Sequence, residues 1–168
     1  GVALYAAGRY EDAMTANQQE LDLYRGLQDG EQQANCLRNT AVILRTMGDD
    51  EEAVAAYRKA LSLYRGLPDS EQDQANCLYN TGNVLHKTER HEEALASYQD
   101  ALTIFRKADG TQYQQAICLN NTATTLERMG RYKEALAAYH SALKLDRSLP
   151  DNEQQQAECL FNIGNSLH

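Results

Sequence analysis

The chain has 168 residues, of which 42% are hydrophobic and 24% charged, a balance typical of a folded domain and not of a disordered tail. No apolar run approaches the roughly 18 to 20 residues of a membrane-spanning helix, so the sequence predicts no membrane partner. The formal net charge of −8 opposes contact with phosphate backbones and predicts no nucleic-acid partner.

A repeat of 41 residues organises the chain. Cys36, Cys77, Cys118 and Cys159 are spaced at this interval, and an asparagine follows three residues after each of them. Self-similarity at a fixed interval predicts a repeat protein. In chain order, the predicted units are the end of a partial repeat (1–26), three repeats (27–66, 67–107 and 108–148) and the first helix of a further repeat (149–168).

Each unit divides into two amphipathic helices. In the unit 67–107, Leu78 and Leu85 keep helical spacing on one face of the first helix, and Ala94, Tyr98 and Ala101 do so in the second. The abundance of Ala, Leu, Gln and Glu beside only two prolines favours helix over strand. The sequence therefore predicts an all-α fold.

Capping residues indicate where the first helices begin. Ser70, Thr111 and Asn152 each stand three residues before a side chain able to bond back, the arrangement of a capping box. Proline in the connections at 68 and 150 ends one unit before the next begins.

The two helices of a unit are joined by a tight turn. Gly8, Gly48 and Gly130 occupy this turn, where a left-handed residue reverses the chain without a Cβ clash. Glu89 stands at the same position in the remaining unit. We expect that turn to carry strain of about 1 kcal/mol or to adopt another geometry.

The pattern resembles the tetratricopeptide repeat (TPR). The family signature of alternating large and small residues is matched by Leu78, Gly82, Leu85, Ala94, Tyr98 and Ala101, while Glu89 departs from its turn glycine. The family repeat has about 34 residues, so the longer unit is more similar to the repeats of kinesin light chains. The resemblance implies an α-solenoid, a right-handed superhelix of antiparallel helix pairs, that binds proteins or peptides.

Small and aromatic repeat positions are predicted to form the core. They are Ala41, Gly82, Ala123, Ala53, Ala94, Ala135, Tyr57, Tyr98 and Tyr139. The four cysteines lack Cys-x-x-Cys spacing, and equivalent positions in stacked helices are about 10 Å apart, too far for a disulfide. We therefore expect buried, reduced thiols and no metal, with a cytoplasmic location.

The resemblance places ligand binding on the concave face lined by the first helices. The predicted peptide-contacting residues are Arg38, Asn39, Arg45, Asn76, Tyr79, Asn80, Asn83, Lys87, Asn120, Asn121, Arg128, Asn162 and Asn165. Asparagine donates and accepts at once, so such a series can pair with the main chain of an extended peptide. Basic side chains on the same face favour an acidic or carboxylate-bearing peptide. The alternative is that the asparagines bond to neighbouring helices and the charges are solvated.

No constellation in the sequence predicts catalysis or a cofactor. Phosphate-binding glycine loops and His-Glu-x-x-His motifs are absent. His86 and His168 occupy equivalent positions two units apart, and no nucleophile pattern accompanies His91.

Three hypotheses of function follow. The array is a protein-binding scaffold, the sensor or autoinhibitory arm of a larger signalling protein, or a structural module that stacks end to end. Gly1–Leu4 aligns with the middle of a first helix, and His168 follows a first helix without its partner, so we expect exposed apolar ends that promote self-association.

Overall fold

The structure is a computed structural model that describes residues 9–150 and 152–166, and every regular element in this part of the chain is an α-helix. The helices are α1 (Tyr10–Gly26), α2 (Gly30–Met47), α3 (Asp50–Tyr64), α4 (Glu71–Lys87), α5 (His91–Phe105), α6 (Gln112–Arg128), α7 (Tyr132–Asp146) and α8 (Glu153–Ser166). Within these residues, no helix combines the length and hydropathy that crossing a membrane requires.

Neighbouring helices pack in pairs inside two compact units, Gly1–Val84 and Leu85–His168. In the first unit α2 packs against both α1 and α3. In the second unit α6 packs against α5 and α7, and α8 packs against α7. Because the connections are short, paired helices run antiparallel. The prediction of an all-α fold with two helices per repeat is confirmed.

The predicted core positions are buried. The three repeat tyrosines Tyr57, Tyr98 and Tyr139 are at most 1% exposed, and the alanines at the small positions are fully buried. Gly82 is buried as well. Small side chains let the helices approach closely while the tyrosine rings fill the space beside them.

The turns inside the helix pairs keep one geometry with or without glycine. Gly48 and Gly130 have φ of +94° and +73°, as predicted, and Glu89 has φ of +62°. Of the two expectations for Glu89, the strained left-handed turn is therefore the one found. Gly8 lies outside the described residues.

The predicted starts of α4, α6 and α8 are confirmed, but the bonds at those starts are not the predicted capping boxes. The Thr111 hydroxyl makes no bond to a backbone N–H of α6. It donates instead to the Phe105 carbonyl at the end of α5, with the Ala108 carbonyl of the connection also within hydrogen-bond distance. Ser70 donates in the same way to Tyr64 and Leu67.

These side chains turn back because the last carbonyls of a helix have no partner inside it. Each hydroxyl satisfies one such carbonyl of the preceding helix and so joins consecutive repeats. Asn152 also reaches back, but its Nδ2 donates to the carboxylate of Asp146 at 2.7 Å.

A glutamine one turn into each first helix completes this junction. Gln74 Nε2 donates to the Tyr64 carbonyl at 3.3 Å, Gln115 to Phe105 at 3.2 Å and Gln156 to Asp146 at 3.3 Å. Gln33 makes the same bond to Tyr24 at 3.2 Å, although the first connection is one residue shorter. The four junctions are therefore held by one recurring hydrogen bond.

Candidate functional site

In the first unit, the predicted site residue Arg38 on α2 pairs with Asp73 on α4. Arg38 Nη1 lies 2.9 Å from Asp73 Oδ1, and Arg38 Nη2 donates to Asn35 Oδ1 at 3.2 Å. The Tyr64 hydroxyl donates to the same Asn35 oxygen at 2.7 Å. Arg38 is thus held in place by an ion pair and an amide, and its charge is partly compensated.

The asparagine series of this unit is half-buried along the same face. Asn80 donates from Nδ2 to the Asn76 carbonyl one turn earlier at 2.9 Å. Among the residues that the structure describes, the Asn39 side chain has no hydrogen-bond partner. A half-buried amide without a protein partner keeps its donor and its acceptor available for another molecule.

In the second unit, the corresponding face is formed by α6 and α8. Cys159 Sγ on α8 donates to Asn120 Oδ1 on α6 at 2.9 Å. Glu127 accepts from the Tyr139 hydroxyl at 2.8 Å and from Ser166 on α8. Asn162 is half-buried, and no hydrogen bond of its side chain occurs within the described part of this unit.

The structure collects the predicted site residues into two groups, one in each unit. The first unit holds Arg38, Asn39, Arg45, Asn76, Tyr79, Asn80 and Asn83, and the second holds Lys87, Asn120, Asn121, Arg128, Asn162 and Asn165. All of them lie on first helices. Arg45 is half-buried and Arg128 exposed, and neither makes an ion pair within residues 9–150 and 152–166.

The proximity of His86 and His91 was not predicted from the repeat pattern. Their ring centroids are 5.6 Å apart, and His86 Nδ1 is 2.9 Å from Thr125 Oγ1. The Thr125 hydroxyl lies 2.7 Å from the Asn121 carbonyl, and when it donates there it accepts from an Nδ1–H of His86. Burial, then His91 and Arg128, lower the pKa of His86 and favour its neutral form.

A buried carboxylate at Asp146 is a second feature that sequence reasoning missed. Asp146 is 1% exposed, accepts from Asn152 Nδ2 and lies 3.6 Å from Cys159 Sγ. It occupies the repeat position of Tyr64 and Phe105, and Asn152 occupies that of Ser70. Asp146 and Asn152 both differ from the residues at the same positions of the other repeats, and this double difference was the signal in the sequence.

All four cysteines are buried and free, as predicted. Burial raises the pKa of the Cys77 and Cys118 thiols to about 12 and that of Cys159 to about 11. Protonated thiols are weak nucleophiles and weak metal ligands. The described residues contain no cluster of three or more His, Cys, Asp or Glu side chains that could hold a metal ion.

Known proteins match this chain over the same repeats. A family model described as "Tetratricopeptide repeat" matches residues 1–66 and 73–148. The search of curated proteins found no match. Among 148 matching solved chains is the crystal structure of BtubC (BKLC) from P. vanneervenii, with a TM-score of 0.88 and 19% identity, covering 97% of this chain and 67% of that chain.

The matches cover the same helices that carry the 41-residue interval, and the structural likeness shows the fold, an α-solenoid of helix pairs. The predicted resemblance to TPR proteins is confirmed. Repeats of this family generally mediate protein–protein interaction, and their helical fold is typically a non-catalytic scaffold. The chain belongs to the tetratricopeptide repeat family.

Proposed function

We propose that the chain is a protein-interaction scaffold whose first-helix faces bind an extended peptide of a partner protein. The observation that carries the proposal is the half-buried asparagine at the same position of every first helix, with Asn39 and Asn162 lacking hydrogen-bond partners among the described residues. A side-chain amide offers one acceptor and two donors. It can therefore pair with a peptide main chain whatever the peptide sequence.

The basic side chains near these amides favour an acidic or carboxylate-bearing peptide. Arg45 and Arg128 make no ion pair in the described parts of the chain, whereas Arg38 is paired with Asp73. A guanidinium that is not compensated by the protein binds a carboxylate strongly. Arg45 and Arg128 are therefore the predicted anchors, and Arg38 contributes mainly to the shape of the face.

The test is a screen of a diverse peptide library against the wild-type chain and an Asn39→Ala/Arg45→Ala variant. Neither side chain has a partner within residues 9–150 and 152–166, so the variant should fold normally, which circular dichroism checks. We expect acidic or C-terminal peptides to bind the wild-type chain and to lose affinity for the variant about tenfold or more, the loss of a charge-assisted hydrogen bond.

A matched control removes the same kinds of side chain from a second helix. Gln99→Ala/Arg106→Ala, on α5 and at its C-cap, should bind the selected peptides with unchanged affinity. Equal losses in the two variants would show that the peptides respond to net charge alone. An absence of acidic peptides among the binders would contradict the proposed ligand class.

A further inference from the structure

A second surface lies between the second helices of consecutive repeats. In the first unit, α1 and α3 border a groove that lies over α2 and has a volume of about 270 Å³. An adjoining cavity of about 310 Å³ extends it. Its floor contains Leu21, Leu37 and Leu44, and its borders carry Arg25 and Lys59. We name it the α1–α3 groove. None of the residues predicted to contact a peptide lines it.

Two leucines on the floor of the groove are more exposed than the leucines at the same positions of α4 and α6. Leu37 and Leu44 are half-buried. Their counterparts on α4 and α6 are buried: Leu78 and Leu119 are each 8% exposed, and Leu85 and Leu126 are 0% and 5% exposed. The floor of this groove therefore offers apolar surface that is covered at the same positions of α4 and α6.

Asn17 gives a physical reason for the difference. It stands at the repeat position of Tyr57, Tyr98 and Tyr139, with its Nδ2 bonded to the Cys36 carbonyl at 2.8 Å and to Thr40 Oγ1 at 2.7 Å. Thr40 lies about one helical turn from both Leu37 and Leu44. An asparagine is smaller than the tyrosine it replaces and leaves the neighbouring leucines less covered.

The matching groove in the second unit provides an internal comparison. It lies between α5 and α7, has about 260 Å³ and is lined by Leu102, Leu126 and Arg106 at equivalent positions. Its floor leucines are buried, and Tyr98 fills the position of Asn17. Ser141 stands where the α1–α3 groove has Lys59.

The positive and negative side chains around the α1–α3 groove lie at opposite ends of it. Arg25 lies in the last turn of α1, and Lys59 lies toward the end of α3, whereas Glu52 lies in the first turn of α3. Two short antiparallel connections make α1 and α3 parallel, so the cations share one end of the groove and Glu52 marks the other. Lys59 has no ion-pair partner in the described chain, and Arg25 is paired only with the exposed Asp22.

We propose that the α1–α3 groove binds an amphipathic helix of a partner protein that presents leucine-type side chains beside aspartate or glutamate. A groove between two parallel helices accepts a third helix, whose apolar face covers the floor. Its carboxylates meet Arg25 and Lys59. With its acidic residues near its N-terminus, where they suit the helix dipole, the bound helix runs antiparallel to α1 and α3.

The test uses a fluorescein-labelled, 16-residue helical peptide (about 24 Å at 1.5 Å per residue) with leucines at helical spacing and glutamates in its first two turns. A second peptide has lysine at each glutamate. Fluorescence anisotropy should show saturable binding of the acidic peptide and about tenfold weaker binding of the basic one, a difference of about 1.4 kcal/mol.

Two variants locate the binding. Asn17→Tyr restores the repeat residue and should bury Leu37 and Leu44 as their counterparts on α4 and α6 are buried. Arg25→Ala/Lys59→Ala removes the cations of the groove without touching the core. Each should weaken the acidic peptide about tenfold or more. Arg106→Ala, at the same position in the second unit, and Asn39→Ala/Arg45→Ala, on the first-helix face, should leave binding unchanged.

The outcomes separate this inference from the proposed function. No binding of the acidic peptide at about 1 mM, or unchanged binding in Arg25→Ala/Lys59→Ala, overturns the α1–α3 groove as the site. Loss of binding only in Asn39→Ala/Arg45→Ala also overturns it, because the peptide then occupies the first-helix face. If Asn17→Tyr does not fold, the affinity of Arg25→Ala/Lys59→Ala decides whether the α1–α3 groove is the site.

Discussion

At position 89, the chain keeps a left-handed turn without the glycine that serves the same turn elsewhere. Glu89 has φ of +62°, near the +73° of Gly130. A Cβ in this region costs about 1 kcal/mol. Glu89→Gly should therefore raise the free energy of unfolding by up to about 1 kcal/mol in urea denaturation.

The control for this prediction is a glycine at an ordinary helical position. Gln99→Gly in the middle of α5 should lower the free energy of unfolding by about 1 kcal/mol. If Glu89→Gly destabilises the protein as much as Gln99→Gly, the turn at Glu89 is not strained.

The buried thiols predict a loss of stability at alkaline pH. Burial raises the pKa of the Cys36 thiol. It raises the pKa of Cys77 and Cys118 to about 12 and that of Cys159 to about 11. Above a pH of about 8.5, thiols of the unfolded chain lose protons that the folded chain keeps. Stability is then fully present below that pH and falls as pH rises through the folded pKa values.

Urea midpoints measured between about pH 8 and pH 11 test this expectation. The midpoint should fall steadily across that range in the wild-type chain. A Cys77→Ala/Cys118→Ala variant should start from a lower midpoint and fall less steeply, because two of the titrating groups are gone. An identical slope in both proteins would mean that other groups cause the loss.

At the level of elements, the repeats are joined by side chains that satisfy the last carbonyls of a helix. Thr111 donates to Phe105 and Ala108, and Gln115 adds a bond to the Phe105 carbonyl. Thr111→Val keeps the shape and removes the donor. We expect this variant to lose about 0.5 to 1.5 kcal/mol of unfolding free energy, the net value of one hydrogen bond, because Gln115 still donates to the Phe105 carbonyl.

Thr103→Val is the matched control, since Thr103 is exposed and its hydroxyl bonds only to its own helix, at the Gln99 carbonyl. Its stability should change by less than about 0.5 kcal/mol. A loss in Thr103→Val equal to that in Thr111→Val would assign the effect to helix propensity.

Helix starts were predictable from the sequence, but the bonds made there were not. A serine or threonine three residues before a carboxylate or amide marks a helix start because its side chain can accept from free N–H groups. At Ser70 and Thr111, carbonyls at the end of the preceding helix compete for the same hydroxyl. That carbonyl is six residues away, and only the path of the connecting loop brings it within reach.

At the scale of the whole molecule, the repeat interval predicted the helices and the core because each repeat position keeps its environment. Tyr98 is 1% exposed, and its equivalents are equally buried. Tyr98→Ala should cost about 3 to 5 kcal/mol of unfolding free energy, as a buried aromatic deletion does. Tyr113→Ala, at a position 44% exposed, should cost far less in the same denaturation experiment.

Where single repeats depart from the pattern, the sequence was less informative. Asn17 replaces a repeat tyrosine and Asp146 a repeat aromatic residue, and His86 stands at a position where no residue type is shared by all repeats. Their partners lie on other helices: Cys36 for Asn17, Cys159 for Asp146 and Thr125 for His86. Such pairings depend on how helices stack, which the repeat interval alone does not specify.

The central claim is that the first-helix asparagines contact a bound peptide. NMR of the side-chain amide groups, recorded while a library-selected acidic peptide is added, tests it most directly. The claim predicts that the Nδ2 resonances of Asn39 and Asn162 shift with peptide concentration, whereas the Gln99 amide on α5 stays unchanged. A shift of Gln99, or of Gln18 in the α1–α3 groove, with Asn39 and Asn162 unmoved, would contradict it.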